Sequence, residues 1–193
     1  HAGIALEGIR LAEEMARRME TERRTDHELE LAAQVQRRLL PQAPPHLETL
    51  ECVGGCLQAR AVGGDYYDFL LLPDGRMALV SADASGHGMA SAMLMAIANT
   101  TLKLAVDIDP APVPVARIMN RALKDAGGPR GFLTLFYGVL DPASGHLEHV
   151  CAGHPFPMVR RADGSLVKLG FGSFPVGLRQ KLHLEAAEAR LDP

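Results

Sequence analysis

The stretch DYYDFLLLPDGRMALVSADASGHG, residues 65–88, decides the fold of this chain. Its apolar runs at 67–72 and 77–81 flank a Pro-Asp-Gly turn. This pattern is typical of a β-hairpin, because Asp-Gly readily adopts the positive backbone angles of a tight turn. Asp65 stands at the start of the first strand and Asp83 at the end of the second. The hairpin is therefore predicted to bring these two carboxylates side by side.

The rest of the chain continues the pattern of short strands, with two helices between them. Strands are predicted at residues 132–140, 146–151, 157–161 and 166–169, and helices at 89–105 and 115–124. Groups of strands that enclose a pair of helices favour a layered α+β fold with antiparallel sheet. Residues 182–191 alternate weakly and no closing element follows them. We expect one further strand beyond them.

Residues 4–40 have the composition of a long helix, and Pro41 ends it. Apolar and small positions form one stripe in two parts: Ile4, Leu11, Met15 and Met19, then Leu29, Ala33, Gln36 and Leu40. Charge on every face of residues 20–28 interrupts the stripe, which predicts two helical segments joined at a weak point. A solvated surface helix and a dimerising signalling helix both fit this pattern. We assign residues 1–45 to a helical signalling linker and 46–193 to the main domain.

Composition excludes several classes of partner. The 193 residues carry a formal net charge of -3, which gives no electrostatic basis for wrapping nucleic acid. Three cysteines without a secretory signal favour a reduced, cytoplasmic setting. No stretch reaches the roughly eighteen uncharged apolar residues of a membrane span, so no membrane is expected.

Both aspartates of the hairpin have glycines beside them. Gly63 and Gly64 precede Asp65, and a glycine-rich turn follows Asp83. Hard oxygen ligands at adjacent strand ends suit Mg²⁺ or Mn²⁺ rather than zinc. In the structural alternative, Asp65 only begins a turn and Asp83 caps the next helix by accepting amide hydrogen bonds.

Four blocks occur in a fixed order: VGGDYYDF (62–69), DASGHGMASAMLMA (83–96), FLTLFYGVLDP (132–142) and AGHP (152–155). Together they resemble the SpoIIE/RsbU-type branch of the metal-dependent protein serine/threonine phosphatases, the PPM family. The resemblance extends from about Leu31 to the end of the chain. It implies a four-layer α-β-β-α sandwich, in which helices flank two antiparallel sheets and metals bind at one edge.

The resemblance also implies roles for particular residues. Asp83 corresponds to the carboxylate that bridges two metals, and the carbonyl of Ala84 to the adjacent ligand. Asp65 corresponds to a carboxylate that acts at the metals directly or through water. Two Mn²⁺ or Mg²⁺ ions would activate a water for in-line attack on phosphorus, without a covalent phosphoenzyme. Arg60 stands where relatives place an arginine that holds phosphate, and the family's proposed general acid falls on Ser85 rather than His87.

The substrate implied by the resemblance is phosphoserine or phosphothreonine on a regulatory protein, namely an anti-sigma-factor antagonist of the STAS type. The family's later metal ligands, a Thr-Asp-Gly segment and a further aspartate, do not occur in these residues. Residues 1–193 alone are therefore expected to bind metal weakly and to show little or no activity. A non-catalytic phosphatase-like domain that binds a partner protein is the alternative.

Residues 5–11 resemble the last helix of a GAF-type sensor domain, and residues 28–41 the connecting helix of this phosphatase branch. This resemblance implies a sensor domain upstream and a homodimer through the N-terminal helix. The charged interruption at 20–28 would then be the switch between signal states.

Overall fold

The computed structural model describes the backbone of residues 2–191 and, apart from residues 2–6, 9 and 12, their side chains. Helices and strands alternate in groups, which confirms the α+β class. In chain order the elements are α1 (Ala2–Arg37), β1 (Asp65–Leu71), β2 (Met77–Ala84), α2 (Met89–Ile108), α3 (Pro112–Ala126), β3 (Leu133–Leu140), β4 (His146–Ala152), β5 (Met158–Arg160), β6 (Leu166–Lys168), β7 (Gly172–Ser173) and β8 (Ala187–Arg190).

Six strands form one sheet in the order β1-β2-β3-β4-β7, with β8 also paired to β4. All pairs are antiparallel except β4 with β7. The predicted hairpin is confirmed. Gly75 has a φ of 87°, and its N–H donates to the carbonyl of Leu72 at 3.0 Å. The described part of the second sheet consists of β5 and β6, which form a separate antiparallel pair.

The main core lies between α2, α3 and one face of the large sheet. Alternate residues of the strands point to this face, because successive side chains of a strand lie on opposite sides. The buried cluster includes Val80 and Ala82 of β2, Leu135 of β3, Leu102 of α2 and Met119 of α3. The opposite face carries a smaller apolar cluster around Met77 and Leu147, and at one end it exposes polar side chains of β1 and β2.

α2 is the one helix among the described residues that is long and apolar enough to cross a membrane by length and composition, although it includes the charged residues Lys103 and Asp107. In the structure Ala98, Leu102 and Ala105 are fully buried in the main core. The same composition therefore belongs here to a core helix, which buries one side against the sheet.

α1 is a continuous helix, so the predicted weak point at 20–28 does not divide it. Ion pairs one turn apart occur within and just before the charged segment: Arg24 Nε lies 3.2 Å from Glu28 Oε1, and Arg18 Nη2 lies 2.9 Å from Glu14 Oε1. Such pairs and strong helix formers compensate for the interrupted stripe, because they stabilise the helix without any apolar contact.

The two parts of the predicted stripe have different surroundings. Leu11, Met15 and Met19 are more than half exposed, with 56%, 65% and 53% of their surface accessible. Ala33 is buried against Val62 and Ala92 of the main domain. The second part of the stripe therefore packs within this chain, and the predicted dimer depends on the first part.

Candidate active site

The two aspartates of the hairpin are direct partners in the sheet. Asp65 of β1 lies opposite Asp83 of β2 in the antiparallel register, and both side chains are exposed on the face away from the helices. Residues directly opposite in an antiparallel pair have Cβ atoms about 4.5–5.5 Å apart. The predicted juxtaposition of the two carboxylates is therefore confirmed.

The position of Asp83 excludes the capping alternative. α2 begins after Gly88, which has a φ of 72°, and no side chain caps this end of the helix. Asp83 lies within β2, and Asp65 is the first residue of β1 rather than part of a turn. Among the described residues, no hydrogen bond to either carboxylate caps a helix or closes a turn.

The electrostatics of the pair favour a bound cation. Burial and then the negative charge of Asp65 raise the pKa of Asp83, whereas His154 lowers it. In the part of the chain that the structure describes, neither carboxylate forms a salt bridge with lysine or arginine. Two adjacent carboxylates without a cationic partner repel each other, and a divalent cation would relieve that repulsion.

The close approach of Gly64 to Ala84 brings a backbone carbonyl close to the residue before Asp65. A Cβ added to Gly64 would lie 2.7 Å from the carbonyl oxygen of Ala84, and the N–H of Ala84 donates to the carbonyl of Gly64 at 3.1 Å. Only glycine allows this close approach beside Asp65. Two carboxylates and a backbone carbonyl near these strand ends are oxygen groups, the type of ligand that Mg²⁺ and Mn²⁺ prefer. Within residues 2–191 no three His, Cys, Asp or Glu side chains group as metal ligands, so the described donor set is small.

His154 lies beside the aspartate pair and contacts two hydroxyl groups. Its Nε2 is 3.1 Å from Ser81 Oγ, and its Nδ1 is 2.9 Å from Thr134 Oγ1. Burial lowers the pKa of His154, while the charges of Asp83 and Asp65 oppose that shift. The neutral ring donates through one nitrogen and accepts through the other, which fixes the hydroxyls on either side of Asp83.

Arg60 meets His87 at the glycine-rich turn that follows Asp83. Arg60 Nη1 lies 3.4 Å from His87 Nδ1, and both side chains are exposed. Ser85 lies in the same turn, but its hydroxyl donates to the carbonyl of Arg130 and accepts from the N–H of Phe132. These bonds give Ser85 a structural role at the start of β3. Arg60, from the segment before β1, and His87, from the turn, are both exposed polar side chains at this place.

Sequence reasoning assigned no role to Asp68, the second aspartate of Asp-Tyr-Tyr-Asp. Asp68 is buried on the helix side, where it accepts a hydrogen bond from Tyr66 Oη at 3.1 Å and lies 3.3 Å from Lys103 Nζ. Burial and the charge of Asp68 raise the pKa of Tyr66. The two-residue repeat of a strand could have predicted the burial of Asp68, because positions 65 and 68 of one strand point to opposite faces.

Comparison with known proteins agrees with this geometry. A family model described as Stage II sporulation protein E (SpoIIE) matches residues 73–193, a range that includes Asp83 and Ala84 but not Asp65. This chain belongs to the SpoIIE family. The resemblance found in the sequence motifs is thereby confirmed for the phosphatase branch, and the GAF-like segment stays a prediction.

Two curated relatives are similar to this chain over most of its length. Phosphoserine phosphatase RsbU of Bacillus subtilis is 27% identical over 166 residues, which cover 86% of this chain and 49% of that protein. Protein IcfG of Synechocystis is 25% identical over 193 residues, which cover 86% of this chain and 30% of that protein. The chain thus spans about a third to a half of the length of these relatives.

Solved structures of similar fold confirm the architecture. The SiaA-PP2C domain of Pseudomonas aeruginosa aligns with a TM-score of 0.70 at 16% identity, over 90% of this chain and 70% of that chain. The RsbU and RsbW domains of a Mycobacterium tuberculosis protein align with a TM-score of 0.58 at 30% identity, over 68% of this chain and 37% of that chain. The SpoIIE-family chain therefore has the fold of PP2C-type phosphatase domains.

Proposed function

We propose that this chain forms the phosphatase domain of a Mn²⁺- or Mg²⁺-dependent enzyme that hydrolyses phosphoserine or phosphothreonine on a regulatory protein. The observation that carries the proposal is the direct pairing of Asp65 with Asp83, beside the carbonyl of Ala84. Its second support is the relative named a phosphoserine phosphatase. By the same relationship, an anti-sigma-factor antagonist of the STAS type is the proposed substrate protein.

Each residue of the site would have a separate role in metal binding, phosphate binding or positioning. Asp65, Asp83 and the carbonyl of Ala84 would hold two divalent cations. When bound, these cations would supply Lewis acidity and a water nucleophile that is active at neutral pH. Arg60 would bind a phosphate oxygen pair through its planar guanidinium, close to the turn that follows Asp83. His154 would keep Ser81 and Thr134 in place around the carboxylates.

The proposal predicts a specific loss of activity on removal of one carboxylate charge. Asp83→Asn and Asp65→Asn in the full-length protein should each lower kcat/KM for a phosphoserine peptide by about 100-fold in saturating Mn²⁺. Asp107→Asn is the matched control, because Asp107 is an exposed carboxylate of α2 away from this edge of the sheet.

Undiminished hydrolysis by Asp83→Asn would overturn the assignment of the centre. If the unsubstituted full-length protein neither bound Mn²⁺ nor released phosphate, the alternative of a non-catalytic, partner-binding domain would replace the proposal.

A further inference from the structure

A groove lies between α3 and the loop at residues 174–186, which joins β7 to β8. Its volume is about 660 Å³. Arg117, Arg121 and Lys124 line it from α3, where their spacing places them on one face of the helix. Lys181 lines it from the loop. We call this feature the basic groove.

A buried side chain holds the two walls of the basic groove together. Asn120 of α3 has 6% of its surface accessible. Its Oδ1 accepts from the N–H of Gly177 at 2.8 Å, and its Nδ2 donates to the carbonyl of Arg179 at 3.1 Å. Further along the loop, Leu184 is buried in the main core. The basic groove is therefore formed before any partner binds, which lowers the entropic cost of docking.

Positive charge is concentrated in the basic groove. Four cationic side chains line it, against one carboxylate, that of Asp125. In the part of the chain that the structure describes, none of these cations forms a salt bridge. Three of the four are exposed, and Lys124 is half-buried and donates to a carbonyl of the loop at 3.4 Å. Since the whole chain carries a formal net charge of -3, the basic groove is a local excess of positive charge that attracts anions.

The basic groove begins near the end of the sheet that carries the carboxylate pair. Leu133 of β3 and Val176 of the loop exchange two backbone hydrogen bonds of 2.9 Å. On its other side, Leu133 lies opposite Ala84 of β2. Neighbouring strands are about 4.8 Å apart, so Val176 lies about 10 Å from Ala84. From Lys124 to Arg117 the groove extends about 10 Å further along α3. A partner that contacts both places must span roughly 20 Å, the length of about six residues of extended chain.

The chemistry of the basic groove favours an acidic protein segment over nucleic acid or a membrane. A phosphate backbone makes many successive contacts with a surface of one charge, and an anionic membrane binds a polybasic or amphipathic surface. The basic groove is concave and contains Asp125 among its cations. Separate carboxylates on flexible side chains can each reach a cation there and avoid Asp125.

We propose that the basic groove docks an acidic segment of the phosphoprotein substrate while the phosphoserine of that substrate lies at the Asp65–Asp83 pair. The inference rests on the proposed function, because it adds a second contact for the same substrate. Arg117, Arg121 and Lys181 pair with carboxylates of the acidic segment. These contacts are equal in the bound substrate and in the transition state, so they lower KM and leave kcat unchanged.

The test measures hydrolysis of two synthetic phosphoserine peptides by the full-length protein in saturating Mn²⁺. One peptide carries glutamates about five to nine residues from the phosphoserine on both sides, and the other carries glutamines at the same positions. The KM of the unsubstituted protein is expected to be about 10-fold lower for the glutamate peptide, at the lower end of what electrostatic attraction adds to association. In about 1 M NaCl, where the Debye length is about 3 Å, this preference should disappear.

Arg117→Glu combined with Arg121→Glu should remove the preference through KM and leave kcat/KM for the glutamine peptide within about twofold of the unsubstituted value. Arg117→Lys combined with Arg121→Lys retains both charges and should retain most of the preference. Arg160→Glu combined with Lys168→Glu is the matched control, because both are exposed cations of the β5–β6 pair and the change in net charge is the same. The control variant should keep the preference of the unsubstituted protein.

Equal KM values of the unsubstituted protein for the two peptides would overturn the docking role, as would a preference that persists in Arg117→Glu with Arg121→Glu. Equal loss in the control variant would also overturn it, because the effect would then come from net charge alone. If the unsubstituted protein bound phosphatidylserine vesicles through these two arginines and had no peptide preference, the basic groove would belong to an anionic membrane instead. Failure to hydrolyse either peptide would overturn the proposed function and with it the substrate of the groove, so the two failures are distinguishable.

Discussion

His149 is a buried histidine that the proposed site does not use. It lies on β4 with 1% of its surface accessible, and its ring centroid is 5.7 Å from that of Phe136. Among the described residues neither ring nitrogen has a hydrogen-bond partner of ordinary geometry, although the backbone of Leu147 lies near enough to moderate the effect of burial. Burial lowers the pKa of His149 below its usual value of 6.5, which keeps the ring neutral in the folded state.

His149→Leu is expected to raise the free energy of unfolding by about 1 kcal/mol at pH 7, since it removes two unpaired buried nitrogens while keeping a similar volume. The unfolded chain takes up a proton near pH 6.5, but the folded state does so only at lower pH. Stability of the unsubstituted protein should therefore fall as pH drops below about 6.5, and less steeply in the variant. Urea titrations between pH 5 and 8 measure both effects.

His146→Gln is the matched control, because His146 lies on the same strand but is exposed. An unchanged pH profile in His149→Leu would contradict the assignment of a buried neutral ring.

Single residues differ in how well the sequence predicted their roles. Asp65 and Asp83 were predictable because a short turn with a strong local signal joins their strands. The contacts of Gln36 with Gly63 and of His154 with Ser81 join residues 27 and 73 positions apart. Such contacts depend on how whole elements pack, and no local pattern contains that information.

α1 differs along its length in what its apolar residues contact. Near its C-terminus Ala33 and Gln36 are buried in the main domain, whereas Leu11 and Met15 are more than half exposed. Exposed apolar side chains at helical spacing favour pairing with a second helix. The predicted homodimer is therefore expected to have its seam in the first half of the helix.

Met15→Glu combined with Met19→Glu is expected to convert a dimer of the full-length protein into a monomer while leaving its circular dichroism and thermal unfolding unchanged. Like charges and lost apolar area in the seam would oppose pairing. Analytical ultracentrifugation measures the change.

Leu29→Asp supplies the contrast, because it would bury a charge beside the Ala33 cluster and should lower the melting temperature. If the variant with both glutamates remained a dimer, that result would contradict the predicted seam. If the unsubstituted protein were already a monomer, the result would favour a solvated surface helix.

At the scale of the whole molecule, the large sheet has two unlike faces. One is sealed by α2 and α3, and the other presents the carboxylate pair at the β1 and β2 end. Repulsion within that pair is a local cost to the folded state, because the unfolded chain separates the two charges. Binding of a cation to the folded state alone turns this cost into a stabilising interaction.

Mn²⁺ should therefore reverse the order of thermal stability of the unsubstituted protein and the Asp83→Asn variant. In chelator, Asp83→Asn should melt slightly above the unsubstituted protein, since the repulsion is gone. At Mn²⁺ concentrations about 100 times the dissociation constant, the unsubstituted protein should gain about 2.7 kcal/mol, or roughly 5–10 °C, and the variant little.

Differential scanning fluorimetry measures both melting temperatures, and Asp107→Asn should follow the unsubstituted protein throughout. An equal Mn²⁺ shift in Asp83→Asn would place the cation elsewhere.

The overall architecture was predictable in class but not in detail. The turns that contain Asp-Gly or glycine predicted three hairpins, which pair β1 with β2, β3 with β4, and β5 with β6. β7 and β8 were missed as sheet strands because they are short and nearly without apolar alternation, and pairing with β4 defines them. The unbroken α1 was also missed, since strong helix formers and an ion pair one turn apart, Arg24 with Glu28, support a helix where an apolar stripe stops.

The continuity of α1 has a rotational consequence. An α-helix turns about 100° per residue, so one residue inserted within 20–28 would swing the Met15 side of the helix by about 100° around its axis relative to Gln36. Seven inserted residues would return it to within about 20° of the original direction. Exchange of the upstream portion for another helical domain would then preserve the angular phase only where the change in length is close to a whole number of turns, such as about seven, eleven or eighteen residues.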